Sequence, residues 1–212
     1  WSSDVCSSDL TTLPDLGPRL IVGLGNPGAE YDGTRHNVGF QALDLFAKRV
    51  GLTSSNLRVA GRKLADLARS TDGRFALLWP TTYMNLSGSA VAAAARQLDV
   101  LPESILVVTD DFHLELGGLR IRAAGSPGGH NGLKSIEQVL QTDLYPRLRI
   151  GVGQPRASSV DHVLETFRSA ELPIVEETLE TASWALEDWA LGQSIEDVQS
   201  RYNRRTPQAN SE

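Results

Sequence analysis

The stretch RLIVGLGNPGAEYDGTRHNVGF, residues 19–40, limits what this chain can fold into more than any other segment. Residues 20–24 form a short continuous apolar run that predicts a buried strand. Gly23-Leu24-Gly25-Asn26-Pro27-Gly28 then spells G-x-G-x-x-G, as a dinucleotide-binding turn would. Such a turn needs a helix that begins inside the motif, with its N-terminus facing the pyrophosphate. Pro27, Gly28 and Gly33 keep the chain out of helix until about residue 36. The acid that would hold a ribose should end the next strand, yet Asp44 falls in mid-helix. A nucleotide loop is therefore disfavoured. The expectation is that the glycines turn the backbone tightly and that Asn26, Tyr31 and His36 carry the chemistry.

The rest of the chain alternates strands with helices. Apolar positions 38, 40, 43, 46, 47 and 50 predict a helix from 37 or 38 to 50, stopped by Gly51. Residues 57–68 and 74–79 predict two strands joined at Asp72-Gly73. An alanine-rich helix is expected over 87–98, a buried strand over 105–108, and a helix near 133–140. A long amphipathic helix is expected over 173–191, with Gly192 as its stop and a polar tail after it. Arg120 and Arg122 alternate with apolar residues, as do Arg147 and Arg149, so each pair leaves one face of a strand. This pattern predicts one α/β domain over 18–200, with a mixed, mostly parallel twisted sheet between helices in three layers. Residues 201–212 read as a polar tail. The chain starts at Trp1 and repeats Ser-Ser-Asp, so residues 1–17 read as a disordered or non-native leader.

Bulk composition narrows the function classes. A net charge of −6 argues against indiscriminate nucleic-acid binding but not against a local basic patch. The basic residues Arg120, Arg122, Lys134, Arg147 and Arg149 gather in the middle of the chain, and residues 161–197 hold ten acids against Arg168. A single cysteine, Cys6, leaves no internal disulfide framework and fits a reducing cytoplasm. The four histidines lack an H-E-x-x-H pair and cysteine partners, so a zinc site is not expected. Neither a G-x-S-x-G elbow nor a G-x-x-x-x-G-K-[ST] loop is present.

Four segments place polar residues where open α/β sheets meet ligands. They are the opening stretch, PTTYMNLSG with Tyr83 and Asn85, ILVVTDD with Asp110 and Asp111, and GSPGGHNGLKSI with His130 and Asn131. Together they supply a base, an acid and several neutral amides, a set suited to hydrolysing a neutral ester or amide. His36 can take a proton from water near neutrality. Asp110 can hold its second ring nitrogen, and asparagine amides can meet an oxyanion or the substrate's carbonyls.

These segments, with PRLRIGVG, resemble bacterial-type peptidyl-tRNA hydrolase in order and approximate spacing, over roughly residues 19–200. The resemblance implies a cytoplasmic, monomeric esterase that needs no cofactor or metal. It would cleave peptide from the tRNA of peptidyl-tRNA released by ribosomes. It implies His36 as base and Asp110 as its support, with Asn26 distinguishing N-blocked from free aminoacyl-tRNA. It also implies that Tyr31, Tyr83, Asn85 and Asn131 contact the tRNA end or peptide, and that Arg122 and Arg149 grip tRNA phosphate. After Asp110-Asp111 the family continues with Leu-Asp, where this chain has Phe112-His113, and His113 is expected to be a bystander. His130 is expected to orient Asn131 or to pack, without a catalytic part. Two rival functions are a non-catalytic RNA-binding relative and a nucleotide-dependent oxidoreductase. The first is disfavoured by the presence of His36, Asp110 and the three asparagines, the second by the glycine loop.

Overall fold

The computed structural model describes residues 17–59, 61–155 and 158–203. The leader, except for Gly17, lies outside them with Cys6, as does the tail from 204 onward. The elements are β1 (Arg19–Gly23), α1 (Val38–Arg49), β2 (Ser55–Val59), β3 (Arg62–Arg69) and β4 (Phe75–Pro80). They continue with α2 (Ser87–Leu98), β5 (Ile105–Asp111), β6 (Leu119–Arg122), α3 (Asn131–Leu140) and β7 (Arg147–Gly151). Helices α4 (Ser159–Leu164), α5 (Leu172–Ala190) and α6 (Ile195–Tyr202) complete the order.

The strands form one seven-stranded sheet in the order β2-β3-β4-β1-β5-β7-β6. Its centre is parallel, through the pairs β1–β4, β1–β5 and β5–β7. Both edges are antiparallel, through β2–β3, β3–β4 and β6–β7. Strands β1 and β5 are buried along their whole length, which explains their unbroken apolar runs. Leu20, Val22, Ile105 and Val107 pack under α2 and α3, while Ile21, Leu106 and Val108 face α1 and α5. Each such side chain contributes about 1.5–3 kcal/mol relative to an exposed one.

Two glycines bring the helix that follows His36 onto the sheet. A Cβ on Gly23 would sit 2.6 Å from the Gly39 carbonyl oxygen, and one on Gly39 would sit 2.6 Å from those of Leu24 and Val108. The start of α1 therefore lies directly on the ends of β1 and β5. This corrects the assignment of the first two motif glycines to a tight turn. Gly23 and Gly25 instead give room to α1, Gly25 having the Phe40 ring at 2.6 Å from its would-be Cβ.

Three other expectations change. The single strand over 57–68 is the end of β2 and most of β3, because Gly61, at φ +77°, permits a reversal between them. The polar tail after Gly192 begins with α6, whose Ser194 hydroxyl accepts from the Asp197 amide and whose Val198 is buried. Helix α4 was not foreseen.

Candidate active site

The ends of β1 and β5 and the loops before α1, α2 and α3 converge on a cavity of about 370 Å³. Its walls include Asn26, His36, Asn85, Asp110, His130 and Asn131. Helix α4 contributes Ser159, Val160, Val163 and Leu164, so apolar side chains cover one side. A larger groove of about 540 Å³ lies beyond Asn26, lined by Asp32, Asp44, Lys48 and Trp79. It holds no histidine, so acid–base chemistry near neutrality belongs to the smaller cavity.

Asp110, the penultimate residue of β5, is 2% exposed. Its Oδ1 lies 2.8 Å from His36 Nδ1 and 3.0 Å from His130 Nε2. Burial pushes the Asp110 carboxyl up. The electrostatic interaction and hydrogen bond with His130, and then those with His36, outweigh that and hold it well below the usual carboxylate range. With Nδ1 of His36 on the carboxylate, Nε2 is the ring nitrogen left to serve the cavity.

The residues flanking His36 hold its short 3₁₀ turn, Arg35–Asn37, from both sides. Arg35 is buried, and its Nη2 pairs with Glu171 at 2.7 Å while its Nη1 donates to the Val152 carbonyl. Asn37 takes the Asn26 amide on its Oδ1 at 2.8 Å and donates Nδ2 to the Asn26 carbonyl at 3.0 Å. The Asn26 side chain is itself oriented, because its Oδ1 accepts from the Met84 amide at 2.8 Å. That oxygen is committed, so the Nδ2 end is the donor that Asn26 can offer to a ligand.

Among the remaining residues singled out in the sequence, Tyr83, Asn85 and Asn131 line the same cavity. Tyr31 lies on the preceding 3₁₀ turn and is not among the lining residues. Arg122 is exposed on β6. Arg149, opposite Arg120 on β7, gives Nη1 to Asp111 Oδ2 at 3.2 Å and Nη2 to the Ser126 carbonyl at 2.7 Å. Arg147 shares that face but is buried, donating to the carbonyls of Gly125, Ser126 and Asp143. Phe112 lines the cavity, whereas His113 is exposed with its ring against Phe112.

His130 is the residue whose place the sequence left unread. It caps α3, its Nδ1 accepting from the amides of Gly132 and Leu133 at 3.1 and 3.3 Å. Histidine is not a usual N-cap residue, so nothing local announced it. His36, Asp110 and His130 have ligand-type atoms within 4.8 Å of one another. His36 Nδ1, Asp110 Oδ1 and both His130 ring nitrogens are engaged in hydrogen bonds with one another or with backbone amides.

The family model described as peptidyl-tRNA hydrolase matches residues 20–210. A peptidyl-tRNA hydrolase of Alkaliphilus metalliredigens is 43% identical over 185 residues, covering 87% of this chain and 98% of its own. One of Nocardia farcinica is 47% identical over 180 residues, with coverage of 83% and 92%. The crystal structure of the Acinetobacter baumannii peptidyl-tRNA hydrolase matches with a TM-score of 0.81 at 34% identity, covering 90% of this chain and 96% of that one. By sequence along nearly its whole described length and by fold, the chain belongs to the peptidyl-tRNA hydrolase family.

Proposed function

We propose that this chain hydrolyses the ester bond between peptide and tRNA in peptidyl-tRNA released from ribosomes, with water activated by His36. The observation that carries it is the His36–Asp110 pair, 2.8 Å apart with the carboxylate buried and the imidazole half-buried, facing a cavity edged by the neutral amides of Asn26, Asn85 and Asn131. His36 Nε2 takes a proton from water as the water oxygen attacks the ester carbonyl carbon. Asp110 stabilises the imidazolium and keeps the ring oriented. When the tetrahedral intermediate collapses, the carbon–oxygen bond to the terminal ribose breaks. The imidazolium returns its proton to that ribose oxygen, leaving a peptide acid and a tRNA hydroxyl.

Asn26 supplies the selectivity. Its available group is an N–H donor, which suits the carbonyl of a blocked α-nitrogen. A free α-ammonium offers only donors and cannot accept that bond. Tyr83, Asn85 and Asn131 contact the peptide or the tRNA end from the cavity wall, and Tyr31 contacts it from the adjoining turn. Arg122 and Arg149 meet backbone phosphates, contacts that position a nucleic acid without reading its sequence. Action as a monomer belongs to this reading, as the family resemblance implies. No helix among the described residues is long and apolar enough to cross a membrane. A cytoplasmic setting is supported by the lone Cys6 and by a substrate that arises at ribosomes.

The test uses purified protein with N-acetyl-aminoacyl-tRNA and with unblocked aminoacyl-tRNA. Wild type should cleave only the blocked ester, and His36→Ala should lose about 100- to 10,000-fold in rate while retaining tRNA binding. Full activity in His36→Ala would overturn the mechanism, and equal cleavage of both esters would overturn the role of Asn26.

A further inference from the structure

His130 is held at both edges of its ring. A ring nitrogen that accepts two backbone N–H groups carries no proton, so the capping bonds to Gly132 and Leu133 put the ring's proton on Nε2. Nε2 lies 3.0 Å from Asp110 Oδ1, the same oxygen that His36 Nδ1 approaches at 2.8 Å. The two rings are 5.0 Å apart and tilted by 53°. Gly128 and Gly129, at φ +58° and +87°, turn the chain just before His130. A Cβ at Gly132 would come within 3.0 Å of the His130 ring. With 8% of its surface exposed, His130 is buried at this position.

We propose that His130 is a positioning residue that shares the Asp110 oxygen with His36 and so limits how strongly Asp110 holds the His36 imidazolium. This rests on the assignment of His36 as the base. A carboxylate oxygen that already accepts one N–H is a weaker acceptor for a second. The His130 bond keeps Asp110 in register for His36 throughout the cycle. By sharing that oxygen it also eases the return of the His36 proton to the departing ribose oxygen.

Among the described residues, few other ionisable groups face this pair. Tyr83, on the connection from β4 to α2, lines the cavity. Asp111, next on β5, turns to the opposite face of the sheet and pairs with Arg149. Helix α4 contributes only Ser159, Val160, Val163 and Leu164, and α3 contributes Asn131.

The variant that separates capping from sharing is His130→Asn, because asparagine is a favoured N-cap but is too short to reach Asp110. It should keep a melting temperature near that of wild type. In NMR titrations of the unliganded protein, its His36 ring should titrate at higher pH than in wild type. The acidic limb of its kcat/KM profile on N-acetyl-aminoacyl-tRNA should move up by roughly half to one pH unit. We expect kcat to fall about tenfold with KM little changed. His130→Gln, which can extend an N–H to Asp110, should move the limb back toward the wild-type value.

In wild type, ¹⁵N NMR should find Nδ1 of His130 unprotonated at neutral pH. That measurement keeps the proposal open to refutation even if His130→Asn does not fold, since a proton on Nδ1 would overturn it. An unchanged His36 titration and an unchanged acidic limb in a folded His130→Asn would reduce His130 to a helix cap. Because the NMR readouts need no substrate, loss of the His36 assignment in the activity assay would be seen separately.

Discussion

Asp110 and Asp111 are neighbours in sequence, both buried at the end of β5, yet they serve opposite faces of the sheet. Asp110 points toward the α1 side and collects His36 and His130. Asp111 points the other way, where one oxygen accepts the His113 amide at 2.8 Å and the other meets Arg149 at 3.2 Å. Strand alternation thus turns a repeated residue into two devices, a carboxylate that tunes a base and one that ties strands and loops together. The difference lies in the partners, because both carboxylates have the same intrinsic chemistry.

The sharpest way to break this comparison is to neutralise each acid in turn. Asp110→Asn should lower kcat/KM by about 100- to 10,000-fold, since the His36 ring loses its orienting charge. Asp111→Asn should cost less than about tenfold in activity, but it weakens a buried charged contact and should lower the melting temperature by a few degrees. Equal losses of activity in the two variants would erase the distinction drawn here.

Acid should separate them as well. The Asp110 carboxyl is depressed in the folded protein, so its stabilisation is fully present above the unfolded value of about 3.9. It is lost as pH falls through the lower folded value. Wild type should therefore lose its melting-temperature advantage over Asp110→Asn only below about pH 4. An advantage that disappeared already at pH 6 would contradict the depressed carboxyl.

The smallest expected effects are those of the arginines. Arg122→Ala should weaken tRNA binding and reduce the salt slope by about one, without touching thermal stability. Arg149→Ala should do the same and also lower the melting temperature, because its guanidinium braces Asp111 and the Ser126 carbonyl. Binding that stays flat with salt in wild type would remove both residues from a phosphate contact.

Much of this could be read before the fold was known. The buried runs of β1 and β5, the alanine-rich α2 and the long α5 follow from periodicity and stop residues. The segments holding Asn26, His36, Asn85, Asp110 and Asn131 were recognisable by their content, and those residues meet in one cavity. Helix α6 carried a legible signal in Ser194 and Asp197, a cap followed three residues later by an acid, yet its polar surface masked it. The role of Arg147 was not legible. Alternation put it beside Arg149, but its burial depends on loops contributed by Gly125 and Asp143.

By itself the sequence determined most of the elements, the face on which each strand residue falls, and the inventory of bases, acids and amides. Periodicity, turn chemistry and residue type are local properties, and they need no knowledge of what lies across the sheet. Only the tertiary structure decided that Gly23 and Gly39 press α1 onto β1 and β5, that Asn37 clamps Asn26, and that His130 shares an oxygen with His36. Each of these joins segments separated along the chain, where hydrogen-bond reach and close packing, rather than local preference, select the partner.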